Sequence, residues 1–325
     1  MRITVILDGP TAMVSLRFIV SCNILIFGYH RLYDIRECNF NTKRLIKMSE
    51  SLEIFLASEK KYFEPMLERQ RKYTERELTL FREETVHGRR ERVSLELFEA
   101  MKKTVGYGPF CGMRLSEQPW WGKSDLGSMC LGLYEKEMLN ALISDQLSER
   151  TTFIDIGAAD GYYAIGLLLS KNYKKSICFE LTELGRKTID RNWNLNACPG
   201  DIEIHGDVLT DAEKVLASVD MSKAVTLIDV EGAEFELLNS NLIELLSGSV
   251  VLIEIHNWVD DFLDKYTAML KRCSKHFDID VVKREDRSTV EFNELRSLTD
   301  DSRLLLTSEG RPCLMRFLVL TPRAV

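Results

Sequence analysis

Apolar residues follow two different periods along this chain, and the period changes near residue 150. From residue 49 to about residue 104 they recur every three or four positions among many charged side chains, which is the pattern of an amphipathic helix. This pattern predicts a solvated helical extension without a catalytic role, whose apolar side offers a way for two copies of the chain to associate. The apolar positions are Leu52, Phe55, Leu56, Phe63, Met66, Leu67, Leu78, Phe81, Leu95, Leu97, Phe98 and Met101.

Glycine, proline and tryptophan interrupt the helical pattern between residues 105 and 127. Glycine and proline are typical of loops, and aromatic residues in loops, here Trp120 and Trp121, often line binding sites. Helical spacing returns over 126–147. We therefore predict that residues 49–150 form a helical extension followed by a cap or substrate-binding region.

Short apolar runs alternate with amphipathic segments after residue 150. Strands made of uninterrupted apolar runs, with helices between them, indicate a parallel sheet that is covered on both faces. We expect a doubly wound, mainly parallel α/β domain over 151–325. The predicted strands are 153–156, 176–181, 202–205, 225–230, 250–255, 277–282 and 314–320, and the predicted helices are 163–170, 183–196, 211–219, 233–246 and 260–273.

The first 48 residues fit neither pattern. Residues 11–29 are fairly apolar, but Arg17 lies among them, and a central arginine costs about 2.5–3.5 kcal/mol in a membrane span. The start holds one basic residue, Arg2, and no clear small-residue cleavage site follows, so it does not match a secretory signal. We expect no membrane association. Another interpretation is that the native chain begins at Met48.

Composition narrows the class of partner and the compartment. The 325 residues carry a formal net charge of −7, so the chain as a whole does not attract a phosphate backbone, and we expect no nucleic-acid partner. None of the eight cysteines forms a C-x-x-C pair, and several lie in apolar runs, as Cys178 does. Buried free thiols are typical of a reducing compartment, which predicts a cytoplasmic protein.

A run of small residues follows the first predicted strand and precedes a helix. Gly157, Ala158 and Gly161 let a ligand approach the backbone where the first N–H groups of the helix point, and Asp155 lies in the strand just before them. Ala159 occupies a position where a dinucleotide-binding turn usually has glycine, so a pyrophosphate fits less well. A tight turn that binds nothing is the alternative interpretation.

Acidic residues lie at or just after the carboxyl ends of the second, third and fourth predicted strands. Glu180 comes about 20 residues after the glycine turn, where a carboxylate accepts hydrogen bonds from ribose hydroxyls. Asp207 is placed to accept from an adenine amino group. Asp229, Glu231 and Glu234 lie at the edge where open α/β sheets bind ligands, although a solvated helix start would also favour acids there.

The fifth predicted strand ends in Glu254 and His256, which alternation places on one face. Burial of an unpaired Glu254 is costly, so we expect it to be paired or to line a polar cavity. An imidazole titrates near neutral pH, which makes His256 the best general-base candidate, and a structural histidine bonded to Glu254 is the alternative. Asp229, Glu254 and His256 have the ligand types of a metal site, but we predict no metal.

Several of these segments resemble the FkbM-type methyltransferases, a class I family that depends on S-adenosylmethionine. The resemblance covers about residues 152–320. Leu181 replaces a proline of the family pattern and Leu227 replaces a lysine, which leaves the substrate preference open. The matching segments are IDIGAADG at 154–161, Phe179-Glu180, the asparagine-rich 192–196, IDVEGAEFE at 228–236, which is the most specific, and Glu254-Ile255-His256.

The resemblance implies a seven-stranded, Rossmann-like methyltransferase sheet with a final antiparallel hairpin. It also implies methyl transfer from S-adenosylmethionine to a hydroxyl oxygen of a saccharide, such as a surface glycan or its precursor, or of a hydroxylated natural product. Trp120, Trp121 and Trp258 are candidates to stack on a sugar ring. The implied cofactor residues are Asp155, Gly157, Ala158, Gly161, Glu180, Asp207 and Asp229, and the candidate catalytic residues are His256, Asp229 and Glu231.

Two other functions stay open at this point. An NAD-dependent oxidoreductase would use the glycine turn and Glu180, but it gives no role to the acids between residues 229 and 234. A helical interaction protein with a vestigial methyltransferase domain would associate through 49–104 and bind no S-adenosylmethionine. A comparison of the binding of the two cofactors separates these alternatives.

Overall fold

The computed structural model describes residues 52–63 and 84–323, together with residues 67, 72, 76, 77 and 80. Residues 52–63 are helical, as the apolar spacing predicts, whereas the interpretations of residues 1–48 lie outside the described residues. Residues from Lys60 onward belong to one compact unit. No helix among the described residues is both long enough and apolar enough to cross a membrane.

A seven-stranded sheet forms the centre of this unit, in the order β3-β2-β1-β4-β5-β7-β6. Strands β1 to β5 are parallel, and β7 runs antiparallel to both β5 and β6. The doubly wound sheet and its final antiparallel hairpin are therefore confirmed. The strands are β1 Thr152–Ile156, β2 Lys175–Phe179, β3 Asp201–His205, β4 Ala224–Ile228, β5 Val250–Ile255, β6 Phe277–Val281 and β7 Arg316–Pro322.

Helices connect and cover the strands, and side-chain caps fix several of their ends. The predicted helix 211–219 begins earlier, at Val208, because the Asp207 carboxylate caps it by accepting from the Leu209 N–H. The predicted helix 233–246 is two helices, because the Asn239 side chain caps a new one after Leu238. The helices are α1 Val86–Ala100, α2 Leu126–Cys130, α3 Lys136–Leu142, α4 Tyr162–Leu169, α5 Glu183–Leu195, α6 Val208–Leu216, α7 Glu234–Leu237, α8 Ser240–Leu246, α9 Phe262–Cys273 and α10 Asp300–Leu305.

The segment before the sheet packs into the same core as one face of the sheet. One buried cluster joins this segment to the sheet. It contains Phe98 of α1, Phe110 from the loop after α1 and Met138 of α3, together with Phe153 of β1 and Ile165 of α4. Replacing a buried phenylalanine by alanine typically costs about 3–5 kcal/mol, so these contacts hold the segment firmly on the sheet. A boundary at residue 150 stays a prediction.

The described cysteines are all free thiols, as the sequence predicts. Burial differs among them: Cys130, Cys178 and Cys273 are buried, whereas Cys111 and Cys313 are exposed. Burial raises the pKa of Cys130 to about 12, so this thiol stays protonated and unreactive.

Candidate functional site

The sheet reverses its strand order between β1 and β4, and the turn that follows β1 lies at this point. The N–H groups of Gly157 and Ala158 donate to the carbonyl of Phe179 at 2.9 and 3.2 Å, which ties the turn to the end of β2. Gly157 has φ 91° and Gly161 has φ 77°, so both adopt a conformation that glycine accepts without strain. The turn is therefore tightly fixed at the carboxyl edge of the sheet, with the N–H groups of Gly157 and Ala158 already bonded.

A cavity of about 510 Å³ opens at this edge. Gly157, Glu180, Asp207 and Asp229 reach it from the ends of four different strands, so the structure brings these predicted site residues together. Its other lining residues are mostly apolar or aromatic: Trp120, Trp121, Ile156, Phe179, Leu181, Val208, Leu209, Val230 and Leu237.

Glu180 is held in place by three hydrogen bonds. One carboxylate oxygen accepts from the Ala159 N–H at 3.0 Å, and the other accepts from the N–H and hydroxyl of Thr182 at 2.8 and 2.7 Å. A carboxylate offers about four acceptor positions, so Glu180 can still accept from a ligand hydroxyl. The backbone N–H of Ala159 thus fixes the orientation of the acid that the sequence predicts for a ribose.

Asp207 and Gly161 have different positions relative to the cavity. Asp207 caps α6 through one carboxylate oxygen, which accepts from Leu209 N–H at 3.0 Å, and it also lines the cavity. Gly161 is absent from the described lining of the cavity, and it lies at the start of α4 against Ile165 and Ile189. Its role is to let the helix begin close to α5.

A second, smaller cavity of about 40 Å³ is lined by the remaining predicted cofactor residues, Asp155 and Ala158. The Asp155 side chain is buried, and among the described residues its Oδ2 atom has no hydrogen-bond partner. Burial, reinforced by the negative charges of Asp229 and Glu180, raises the pKa of Asp155 to about 8. This acid therefore borders the site as a group that carries a proton near neutral pH.

A third cavity, of about 390 Å³, adjoins the first, and Trp120, Trp121, Asp229 and Glu231 line both. Trp258 lines the 390 Å³ cavity but not the 510 Å³ cavity. Its ring centroid lies 4.8 Å from that of His256. Trp121 and Trp258 are 42% and 43% exposed, so their ring faces remain available to a ligand. The pair of cavities can hold two molecules side by side.

His256 follows β5 and contacts acidic residues on both sides of its ring. Its backbone N–H donates to Glu234 at 2.8 Å, and its Nδ1 atom lies 3.2 Å from the same carboxylate. The alternative interpretation of a structural histidine bonded to Glu254 names a different partner, since the fully buried Glu234 at the start of α7 makes these bonds. The Nε2 atom faces Asp229 at 3.5 Å, Glu231 at 3.6 Å and Glu254 at 3.8 Å.

These contacts change the proton affinity of His256. Burial alone lowers the pKa of the imidazole, but the carboxylates of Glu234, Asp229 and Glu231 outweigh burial and raise it above the ordinary value. Glu231 adopts φ 52°, a left-handed conformation that residues other than glycine take infrequently. The turn after β4 thus directs two carboxylates towards one ring nitrogen.

An ion-pair network lies beside this cluster, and the sequence did not reveal it. Arg311 contacts Glu254, and it also binds Glu135 at 2.6 Å and Glu309 at 2.5 Å. The expectation that Glu254 is paired is confirmed, with Arg311 as the partner. Glu135 and Arg311 lie in loops that are 176 residues apart in the sequence. No periodic pattern of apolar residues marks either position.

Neither a protein-family model nor a curated protein sequence matches the chain. Among solved structures, a methyltransferase from Pyrococcus furiosus is 12% identical, with a TM-score of 0.43 over 73% of this chain and 98% of that one. TYW2 from M. jannaschii, in complex with AdoMet, is 14% identical, with a TM-score of 0.34 over 59% of this chain and 75% of that one. Likenesses this distant carry no argument about activity or substrate.

Proposed function

We propose that this protein is an S-adenosylmethionine-dependent methyltransferase whose cofactor lies in the 510 Å³ cavity. The observation that carries the proposal is the charge of the cavity. Among the described residues that line it, Glu180, Asp207, Asp229 and Glu231 are acidic, and none is lysine, arginine or histidine. A cofactor with a sulfonium and an ammonium group suits such a lining, whereas the pyrophosphate of NAD would meet four carboxylates without a cation.

The shape of the cavity supports the same cofactor. A Cβ atom at position 157 would collide with the Asp229 carbonyl oxygen, so glycine is what allows the ends of β1 and β4 to meet at the edge of the cavity. Glu180 has acceptor capacity for ribose hydroxyls. Val208 and Leu209 offer apolar contacts for a purine ring, with Asp207 beside its amino group. Asp155 and Ala158 border the methionine end.

We propose that the acceptor binds in the adjoining 390 Å³ cavity. When bound, S-adenosylmethionine supplies a methyl group on a sulfonium, so catalysis depends largely on positioning. Asp229 and Glu231, which line both cavities, lie where the two ligands would meet. A hydroxyl acceptor must also lose its proton, and the Nε2 atom of His256, made more basic by its carboxylate neighbours, is the candidate group.

A saccharide or another hydroxylated compound is the acceptor class that we propose. The exposed faces of Trp121 and Trp258 suit the apolar face of a sugar ring, and the carboxylates between them suit its hydroxyls. The resemblance of residues 228–236 to the FkbM-type pattern favours the same class. O-methylation is therefore the reaction to test first.

Calorimetry with S-adenosylmethionine, S-adenosylhomocysteine and NAD tests the cofactor. We expect S-adenosylmethionine and S-adenosylhomocysteine to bind the wild type. Glu180→Ala should lower the affinity for both by about tenfold to a hundredfold, since a hydrogen bond to a charged group contributes about 1.5–3 kcal/mol. Glu183→Ala, which removes an exposed acid three positions along the chain, is the control and should bind as the wild type does. Tighter binding of NAD, or no binding of any of the three, would overturn the proposal.

A further inference from the structure

Asp229, Glu231 and His256 each offer one ligand atom, and these atoms all lie within 4.8 Å of one another. They combine two carboxylates with an imidazole, which is a donor set that divalent first-row metal ions accept. Asp229 and Glu231 line both large cavities, so the cluster lies at their junction. Its place in the site therefore differs from that of a solvated acidic surface.

The imidazole of His256 is oriented as metal-bound histidines are. Its side chain is 1% exposed, and the completely buried carboxylate of Glu234 contacts its Nδ1 atom. Glu234 also accepts from the backbone N–H groups of His256 and Gly232, at 2.8 and 3.0 Å, so its own position is fixed. A proton on Nδ1 that donates to Glu234 leaves the lone pair of Nε2 directed at the cluster.

On the other side of the ring lies a carboxylate oxygen that lacks a hydrogen-bond partner. The Oδ1 atom of Asp229 is buried and has no hydrogen-bond partner among the described residues, although it lies 3.5 Å from Nε2. Two ligands that are each about 2.0–2.2 Å from one ion lie about 2.8–3.6 Å apart. The distances of 3.5 and 3.6 Å from Nε2 to Asp229 and Glu231 fall in that range.

No lysine or arginine of the described residues contacts this cluster directly. Arg311 contacts Glu135 and Glu254, so its charge is directed at the carboxylates behind the cluster. Within the described residues, no lysine or arginine forms an ion pair with Asp229 or Glu231, whose ion-pair contacts are to His256. The buried Oδ1 atom of Asp229 gains most from a bound cation, because an unpaired buried carboxylate oxygen is costly, while the half-exposed Glu231 closes the cluster on the cavity side.

We propose that Asp229, Glu231 and His256 bind one divalent cation of the Mn²⁺, Fe²⁺ or Zn²⁺ type. Three protein ligands leave further positions open, and these face the 390 Å³ cavity. The role of the cation rests on the proposed function: two adjacent hydroxyls of a saccharide fill the open positions, and the cation lowers the pKa of the hydroxyl that reacts. His256 then acts as a ligand rather than as the base.

The methyl transfer balances without a protein base. The coordinated hydroxyl releases its proton to water in the open cavity. Its oxygen then forms a bond to the methyl carbon while the bond from that carbon to sulfur breaks, and the sulfur keeps the electron pair as a neutral thioether. Methyl acceptors with two neighbouring hydroxyls are thus favoured over acceptors with a single one.

Electron paramagnetic resonance of Mn²⁺, titrated into the full chain without any cofactor, tests the site. We expect one saturable Mn²⁺ site in the wild type. His256→Ala and Glu231→Gln should each lower the affinity for Mn²⁺ at least tenfold. The Glu231 side chain is half-exposed, so its replacement by glutamine should not impair folding. Glu234→Gln should weaken binding by about 10–100-fold, because it disturbs the orientation of the ring. Glu213→Gln, at an exposed acid on α6, is the matched control and should change nothing.

Two outcomes overturn the inference: wild-type Mn²⁺ binding that does not saturate, and binding that His256→Ala and Glu231→Gln both leave intact. Calorimetry of the metal-free protein keeps this result separate from the proposed function. If S-adenosylmethionine binds and Mn²⁺ does not, the cation site is wrong and the methyltransferase stands. If Mn²⁺ binds and S-adenosylmethionine does not, the cation site stands and the methyltransferase is wrong.

Discussion

Gly157 lies directly against the main chain of Asp229: a Cβ atom on Gly157 would be 1.7 Å from the Asp229 carbonyl oxygen. The N–H of Asp229 in turn donates to the carbonyl of Ile156 at 3.0 Å, so the ends of β1 and β4 are joined just before the cavity opens. The two turns that carry most of the candidate site are therefore set by one backbone contact. A change at either residue should be transmitted to the other.

Gly157→Ala should disrupt this contact. The added methyl group collides with backbone that cannot move aside, and φ 91° is unfavourable for alanine, so we expect a loss of about 3 kcal/mol or more in unfolding free energy and little binding of S-adenosylmethionine. Gly206→Ala is the control for stability alone, because its nearest contact would be an ordinary 3.4 Å to an Asp211 oxygen, whereas Gly206 also lines the cofactor cavity. Urea denaturation and calorimetry measure both; a Gly157→Ala protein of normal stability and affinity would contradict the contact.

Arg311→Met should destabilise the protein strongly. It removes the cation that contacts Glu135, Glu254 and Glu309 and leaves buried carboxylates unpaired, which costs about 3–5 kcal/mol. Arg323→Met is the matched control, since its ion pair with Asp278 is exposed and should contribute no more than about 1 kcal/mol. Urea denaturation of both variants checks the difference, and equal losses would show that the buried network is not what stabilises this loop.

The sheet was largely predictable because parallel strands are buried on both faces and so appear as uninterrupted apolar runs. Strand β5 matches its predicted range to the residue, at Val250–Ile255. The residues at strand ends, such as Glu180 and Asp229, were predictable because topology alone brings those ends to one edge. Helix boundaries were less predictable, since the Asn239 cap divides a continuous helical pattern.

The partners inside the site could not be predicted in this way. Glu234 was expected in the acidic cluster, but its contact with His256 depends on how α7 packs beside the end of β5, 22 residues further along the chain. Glu135, Glu309 and Arg311 come from loops, where no period connects sequence to position. Their pairing depends on tertiary packing, which a single sequence does not display.

Trp258→Ala should affect the acceptor and leave the cofactor unchanged. Trp258 lines the 390 Å³ cavity, whereas Trp121 lines both large cavities. We therefore expect Trp258→Ala to raise the KM for a reactive methyl glycoside by about tenfold through lost ring contact, with an unchanged Kd for S-adenosylmethionine. Trp121→Ala should weaken both. Initial rates and calorimetry separate the two constants, and a cofactor defect in Trp258→Ala would contradict the division into two cavities.

Asp160 binds the backbone of the loop that contains Trp120 and Trp121, and its ionisation should make the stability of the protein depend on pH. Its carboxylate accepts from the backbone N–H groups of Trp120 and Trp121 at 3.2 Å, yet burial raises its pKa to about 6 from the ordinary value of 3.8. Because the folded pKa is the higher one, the folded state binds the proton more tightly. Ionisation therefore removes stability as the pH rises from about 4 to about 6.

Asp160→Asn keeps an oxygen acceptor for the two N–H groups and removes the charge. Relative to the wild type, it should gain about 1–2 kcal/mol in unfolding free energy between about pH 4.5 and about pH 8, with the gain complete above the folded pKa. Urea denaturation across this range measures the difference, and Asp260→Asn, at an exposed acid, should show a flat profile. A difference that stays constant with pH, or falls as the pH rises, would mean that ionised Asp160 stabilises the loop.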